Sequence, residues 1–84
     1  MPDSDLYRQI MDYTSGRVSL FDLQDWITSR QEQWASLPTS DPAARATGSI
    51  MLAVYELDAG DRDEESVREI ASEALKELKR AQRV

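Results

Sequence analysis

The sequence predicts an all-α protein, a single-domain antiparallel four-helix bundle formed by residues 1–84. Three observations predict this fold class. Apolar residues recur at helical spacing in four segments, capping or helix-breaking residues separate the segments, and no stretch alternates apolar with polar residues over four or more positions as a strand does. A chain of 84 residues has room for one domain with one modest core. The predicted helices span about residues 4–15, 20–37, 42–59 and 62–82.

The first helix is predicted from a cap, an apolar face and a glycine. Ser4 or Asp3 stands where a capping side chain is preferred. The apolar residues that share one face of the helix are Leu6, Ile10 and Tyr13. Gly16 adopts left-handed backbone at no steric cost, so the helix is expected to end near Ser15.

The second helix is predicted to begin after Ser19, because serine caps helices and Asp22 follows at the third helical position. The apolar stripe of this helix contains Leu20, Leu23, Ile27, Trp34 and Leu37. Pro38 cannot continue a helix, so the pattern predicts one continuous helix to about Leu37.

Trp26 lies at the edge of this stripe, and Arg30 falls on it, one helical turn from both Trp26 and Trp34. Two interpretations are open. The arginine stem covers apolar surface while its guanidinium group stacks on an indole or reaches water. Alternatively, the aromatic and arginine side chains are energetically dominant residues of a protein interface.

The third helix is predicted to start with Asp41 as its cap and Pro42 at the first helical position. It contains the longest apolar run in the chain, from Ile50 to Tyr55. On a helix this run divides into two faces. Ile50, Ala53 and Val54 belong to the core, whereas the second face carries Gly48, Met51, Leu52 and Tyr55. Another helix of this chain, a second copy or a partner protein is expected to cover the second face.

The fourth helix is predicted to follow Gly60, with acidic residues in its first turn where the helix dipole favours negative charge. Its apolar stripe consists of Val67, Ile70, Ala71, Ala74, Leu75, Leu78 and Ala81. Its basic residues, Lys76, Lys79, Arg80 and Arg83, lie towards the other end of the helix, again in accord with the dipole.

The composition excludes several classes of chemistry. The chain has no histidine and no cysteine, so catalytic triads, thiol catalysis and zinc or di-iron sites of the usual kinds are excluded, and it has no glycine-rich phosphate loop. A calcium loop that starts at Asp61 fails because Ser66 occupies the glycine position. We therefore expect no enzyme activity, no cofactor and no metal.

The charge of the chain indicates the kind of partner. Ten basic and sixteen acidic side chains give a formal net charge of −6, which favours a basic protein surface over nucleic acid or an anionic membrane. No apolar run approaches the roughly 18 residues of a membrane span. The acidic amino terminus resembles no targeting signal, so a cytoplasmic location is expected.

Two segments carry a resemblance to a known family. One is the junction Gly16-Arg17-Val18-Ser19 with Asp22-Leu23. The other runs from Val54-Tyr55-Glu56-Leu57-Asp58 through an acidic turn to Glu64-Glu65-Ser66-Val67-Arg68-Glu69. In both, the chain resembles the small acidic immunity proteins of the colicin D type, which are helical-bundle toxin inhibitors. The resemblance implies one-to-one inhibition of a toxin whose basic, RNA-binding active-site cleft is occluded by acidic side chains.

The predicted partner-binding residues combine this acidic surface with the exposed apolar candidates: Asp58, Asp61, Asp63, Glu64, Glu65, Met51, Tyr55, Trp26 and Arg30. The alternative function is that of a homodimeric structural or regulatory protein. In that case the second apolar face of the third predicted helix forms the dimer interface.

Overall fold

A computed structural model describes the backbone of residues 2–81 and the side chains of residues 4–81. All regular secondary structure in this part of the chain is helical, as the sequence predicts. The helices are α1 (Pro2–Thr14), α2 (Leu20–Thr28), α3 (Gln31–Ala35), α4 (Pro42–Asp58) and α5 (Glu64–Ala81). None of these five helices has the length and continuous apolar character that crossing a membrane requires.

Helix α1 begins earlier than predicted. It starts at Pro2, a residue suited to the first helical position because its missing N–H group has no partner there. The prediction that Ser4 or Asp3 caps the helix is therefore wrong, since both lie inside it. The helix ends at Thr14, and Gly16 follows with φ of 86°, the left-handed conformation expected of it.

The second predicted helix is two helices, not one. Ser19 caps α2 as expected, with its Oγ atom accepting a hydrogen bond from the Asp22 N–H group at 3.1 Å. The helix ends at Thr28, however, and Arg30 adopts non-helical backbone angles (φ −118°, ψ 25°) before α3 starts. The prediction of one continuous helix over residues 20–37 is therefore wrong. The structure has a short helix, a break and a second, shorter helix in this segment.

Side-chain hydrogen bonds account for the break. The Ser29 hydroxyl group donates to the Trp26 carbonyl oxygen at 2.8 Å, and the Arg30 guanidinium group donates to the same oxygen at 3.4 Å. That oxygen is the acceptor that the Arg30 N–H group would use in a continuing α-helix. The Arg30 N–H group instead donates to the Ile27 carbonyl oxygen at 3.1 Å. Side-chain competition of this kind is typical of serine near helix ends.

Helix α4 follows its predicted signals closely. Asp41 caps it by accepting a hydrogen bond from the Ala43 N–H group at 2.9 Å, and Pro42 occupies the first position. The residues buried by α4 are Ala43, Ala46, Thr47, Ile50, Ala53 and Val54. Thr47 is the one polar member of this set, and its hydroxyl group donates back to the Ala43 carbonyl oxygen at 2.9 Å.

Helix α5 starts at Glu64, two residues later than predicted, because Asp63 is the residue that caps it. The Asp63 Oδ1 atom accepts a hydrogen bond from the Ser66 N–H group at 2.9 Å. Residue 82, the predicted end of this helix, lies outside the described residues. Helices α4 and α5 pack together most extensively, and α1 packs on α5, whereas α2 and α3 make smaller contacts with α1 and α4.

Candidate protein-binding surface

The acidic residues predicted to bind a partner lie around the turn that joins α4 to α5. Gly60 allows this turn, with φ of 84°. All five acidic side chains are exposed: Asp58, Asp61, Asp63, Glu64 and Glu65. The structure therefore brings these residues together at one end of the molecule, and we refer to them as the acidic turn.

The arginine in this segment does not neutralise the exposed acids. Arg62 is half-buried and donates hydrogen bonds from Nε and Nη2 to the Glu56 Oε1 atom, at 3.2 and 2.8 Å. Its Nη1 atom donates to the Ser66 hydroxyl oxygen at 2.6 Å. Arg62 thus connects the last turn of α4 to the first turn of α5. The sequence pattern did not indicate this link, because the partners are six residues apart across a turn.

The five acidic side chains divide into two groups. Asp63 caps α5, and Glu64 pairs with Arg68 at 3.2 Å, so both have local structural roles. Within the part of the chain that the structure describes, the side chains of Asp58, Asp61 and Glu65 form no hydrogen bond or ion pair. Local structural roles therefore explain only some of the acidic residues in the turn. The negative charge of the other three side chains faces solvent.

The second face of α4 continues from the acidic turn. Leu52 is 61% exposed and Tyr55 is 72% exposed, whereas Met51 is partly buried against the core. Within residues 4–81, no other helix of this chain covers Leu52 or Tyr55. Of the three expected covers for this face, a second copy and a partner protein remain for these two side chains. Large apolar side chains at these levels of exposure, adjacent on one helix, are typical of interaction surfaces.

Gly48 lies one turn before Leu52 on this face and has no evident role inside the fold. Its backbone is helical rather than left-handed, and a Cβ atom added to it would meet nothing within 4 Å. A glycine in a helix interior costs about 0.5 to 1 kcal/mol relative to alanine. The packing of this chain therefore gives no reason for a glycine at position 48.

An apolar groove separates α3 from α4 beside Gly48. Its volume is about 400 Å³. The side chains and backbone that line it include Ile27, Trp34, Ala35, Ala44, Gly48 and Met51. Helix α3 packs on α4, and Trp34 lines the groove between them. Met51, a predicted partner-binding residue, lies on the groove wall.

The predicted cluster of Trp26 and Arg30 forms. The Arg30 Cζ atom lies 4.4 Å from the centroid of the Trp26 ring, and the rings of Trp26 and Trp34 lie 5.8 Å apart at 41°. Trp34 is buried, and its indole N–H group donates to the Ile27 carbonyl oxygen at 3.0 Å. The stacking interpretation of Arg30 is confirmed. Its role in partner binding stays a prediction.

The sequence pattern places Tyr13 on the apolar face of α1 but does not indicate the environment of its hydroxyl group. Its side chain is buried, and its hydroxyl group lies near the Arg68 guanidinium group without forming a hydrogen bond of good geometry to any described residue. Burial raises the pKa of Tyr13 above its ordinary value of 10.0. The Arg68 guanidinium group, with its Cζ atom 5.3 Å from the ring centroid, opposes the rise in part.

We expect the stability contributed by Tyr13 to depend on pH in one direction. The folded chain holds the phenolic proton more tightly than the unfolded chain, so this contribution is fully present below about pH 10 and is lost as the pH rises above it. Replacing Tyr13 by Phe removes an unpaired buried hydroxyl group and keeps the ring. At pH 7 the free energy of unfolding should stay unchanged or rise by up to about 1 kcal/mol, and its fall above pH 10 should become shallower.

Urea unfolding of wild type and Tyr13→Phe at pH 7 and above pH 10 measures both effects. Tyr55→Phe is the control, because that exposed ring should change neither quantity. A loss of more than about 1 kcal/mol in Tyr13→Phe at pH 7 would show that the hydroxyl group has a stabilising partner.

No group of three or more acidic side chains in the described residues is arranged to hold a metal ion. Comparisons with protein-family models, with characterised proteins and with solved structures find no match for this chain.

Proposed function

We propose that this chain is a protein-binding domain whose acidic turn docks on a basic partner surface. In the sharpest form of this proposal it is an immunity-type inhibitor, and the acidic turn occludes the basic, RNA-binding cleft of a toxin. The observation that carries the proposal is the solvent-facing charge of Asp58, Asp61 and Glu65, which Arg62 leaves unneutralised because it is bonded to Glu56 and Ser66.

The electrostatics of the acidic turn favour rapid association with such a partner. Exposed charges of one sign raise the rate of encounter with a surface of the opposite sign, and salt screens the effect. Tyr55, one turn before Asp58, places an exposed aromatic ring beside the charges, and tyrosine is among the residues enriched at interface hot spots. The resemblance to colicin-D-type immunity proteins supports the same proposal, in which the chain acts in the cytoplasm by binding and without a cofactor.

The test reverses two of the three charges in the turn that form no side-chain hydrogen bond or ion pair, Asp61→Lys with Glu65→Lys. Wild type and variant are used side by side to capture proteins from the native host, and a ribonuclease retained by wild type is then purified. We expect its RNA cleavage to be blocked at a one-to-one ratio by wild type. The variant should associate at least about tenfold more slowly at low salt, and the difference should shrink at high salt.

The matched control is Asp25→Lys with Glu32→Lys, which makes the same change in net charge at exposed positions of α2 and α3. Circular dichroism shows whether each variant is folded. If the control slows association as much as the turn variant, net charge rather than the acidic turn governs binding. If neither variant slows association, or no basic protein is inhibited, the proposal is wrong.

A further inference from the structure

We propose that the exposed face of α4 binds a second copy of this chain, with the two α4 helices antiparallel. The surface concerned contains Arg45, Gly48, Leu52 and Tyr55, and we call it the α4 stripe. Spacings of three and four residues place all four on one side of the helix, and all four are exposed. This inference shares Tyr55 and Asp58 with the surface of the proposed function, but it does not involve Asp61 or Glu65, whose reversal tests that function.

The α4 stripe is complementary to itself in shape. Its first half is small at Gly48, and its second half is large at Leu52 and Tyr55. An antiparallel copy related by a two-fold axis near the middle of the stripe brings Gly48 of each helix against Leu52 of the other. Two-fold pairing requires a self-complementary patch of this kind. It also gives Gly48 a role that the fold of one chain does not, since glycine permits close approach of another helix.

The two ends of α4 are also complementary in charge. Arg45 lies at its amino-terminal end, and Asp58 ends the helix at the other. The antiparallel arrangement directs each arginine towards the carboxyl-terminal end of the other α4, where Asp58 and the helix dipole are both negative. It also separates the two acidic turns by about the 25 Å length of a 17-residue helix, whereas a parallel pair would place them together.

Arg45 is available for this contact. Its Nη2 atom lies 3.7 Å from the Glu77 Oε1 atom, and its side chain is 59% exposed. Exposed ion pairs at such distances contribute about 0 to 1 kcal/mol, so the arginine can turn towards a second copy at little cost.

The size of the contact sets the expected strength of association. One pair of helices buries less surface than the roughly 1,200 Å² of a standard stable interface, so the dimer should be weak and concentration-dependent. The test is sedimentation velocity of the full chain from roughly 10 µM to 1 mM, a range suited to such weak interfaces. We expect the average mass to rise from 9.6 kDa towards twice that value.

Two sets of variants locate the contact. Gly48→Leu puts a side chain where this chain leaves open space, so the fold should persist while the dimer weakens at least tenfold. Arg45→Glu and Asp58→Arg should each weaken the dimer severalfold, and the double variant should recover most of the wild-type association. Phe21→Ser is the control, because Phe21 is 74% exposed on α2 and its loss should leave association unchanged.

Each outcome decides the inference. A monomer at 1 mM would overturn it and leave the α4 stripe to a different partner. A dimer that survives Gly48→Leu, or that Phe21→Ser disrupts equally, would place the interface elsewhere. A dimer that the double variant fails to rescue would overturn the antiparallel arrangement. Circular dichroism of each variant separates loss of the dimer from loss of the fold.

Discussion

Replacing Trp34 by alanine is expected to lower the free energy of unfolding by about 3 to 5 kcal/mol, the usual cost of truncating a large buried aromatic side chain. Total stability is about 5 to 15 kcal/mol for typical domains, and a chain of this size lies towards the lower end. The substitution should therefore remove most of the stability of the protein at 25 °C.

The reason for this size of effect is the position of Trp34 across the break between α2 and α3. Its buried ring packs against Trp26 and lines the groove beside α4, and its N–H group donates to the Ile27 carbonyl oxygen at 3.0 Å. Alanine would leave a cavity and would remove one of the two donors to the Ile27 carbonyl oxygen, the other being the Arg30 N–H group. Both effects destabilise the folded state.

Urea unfolding followed by circular dichroism measures the loss. Trp26→Ala is the matched control, because Trp26 is only partly buried and its truncation should cost clearly less. Trp34→Phe keeps a ring without the N–H group and should fall between wild type and Trp34→Ala. Equal losses in the two alanine variants would show that Trp34 does not hold α3 in place.

Replacing Ile50 by alanine should cost about 2 to 5 kcal/mol, whereas replacing Leu52 by alanine should change the free energy of unfolding by no more than about 0.5 kcal/mol. The two residues are neighbours in the same apolar run. Ile50 is fully buried between α4 and the rest of the core, and Leu52 is 61% exposed.

Thermal and urea unfolding of the two variants at low protein concentration, where self-association is absent, provide the comparison. Leu52→Ala should keep the fold of the wild type. Any change in its self-association would then result from the altered surface and not from unfolding. A large loss of stability in Leu52→Ala would instead show that this side chain is buried in the protein in solution.

The sequence predicts those parts of the fold that depend on neighbouring residues. Ser19 and Asp41 cap helices as expected, and Gly16 and Gly60 adopt the left-handed backbone that ends helices, because each of these effects acts within one turn. The periodicity of α4 also separated buried Ile50 from exposed Leu52, since burial on a helix follows its 3.6-residue repeat.

The break after Thr28 was not predictable in the same way. Apolar periodicity continues through it, with Ile27 and Trp34 both buried. The decisive event is the capture of one carbonyl oxygen by the side chains of Ser29 and Arg30, together with packing of α3 on α4. Periodicity indicates which face of a helix is apolar. It carries no information about the donor from which a carbonyl group accepts a hydrogen bond.

The acidic turn, likewise, was predictable from the sequence only in part. Its charges are evident in the sequence, and their exposure follows from the helix ends around them. Which of them are committed to structure is not evident, because the Arg62 bonds to Glu56 and Ser66 and the cap at Asp63 depend on how the turn closes. The empty space around Gly48 likewise becomes visible only when α3 and α4 are placed beside each other.

The break between α2 and α3 has a consequence for cooperativity. The two helices contain 9 and 5 residues, well below the roughly 12 to 15 at which an isolated helix is even marginal in water, so their hydrogen bonds persist only while they are packed. Helices α4 and α5, with 17 and 18 residues, make the most extensive contact in the molecule. Amide hydrogens of α2 and α3 should therefore exchange with solvent through a partial opening that leaves α4 and α5 paired. The groove beside Gly48 would widen in that opening, since α3 forms one of its walls.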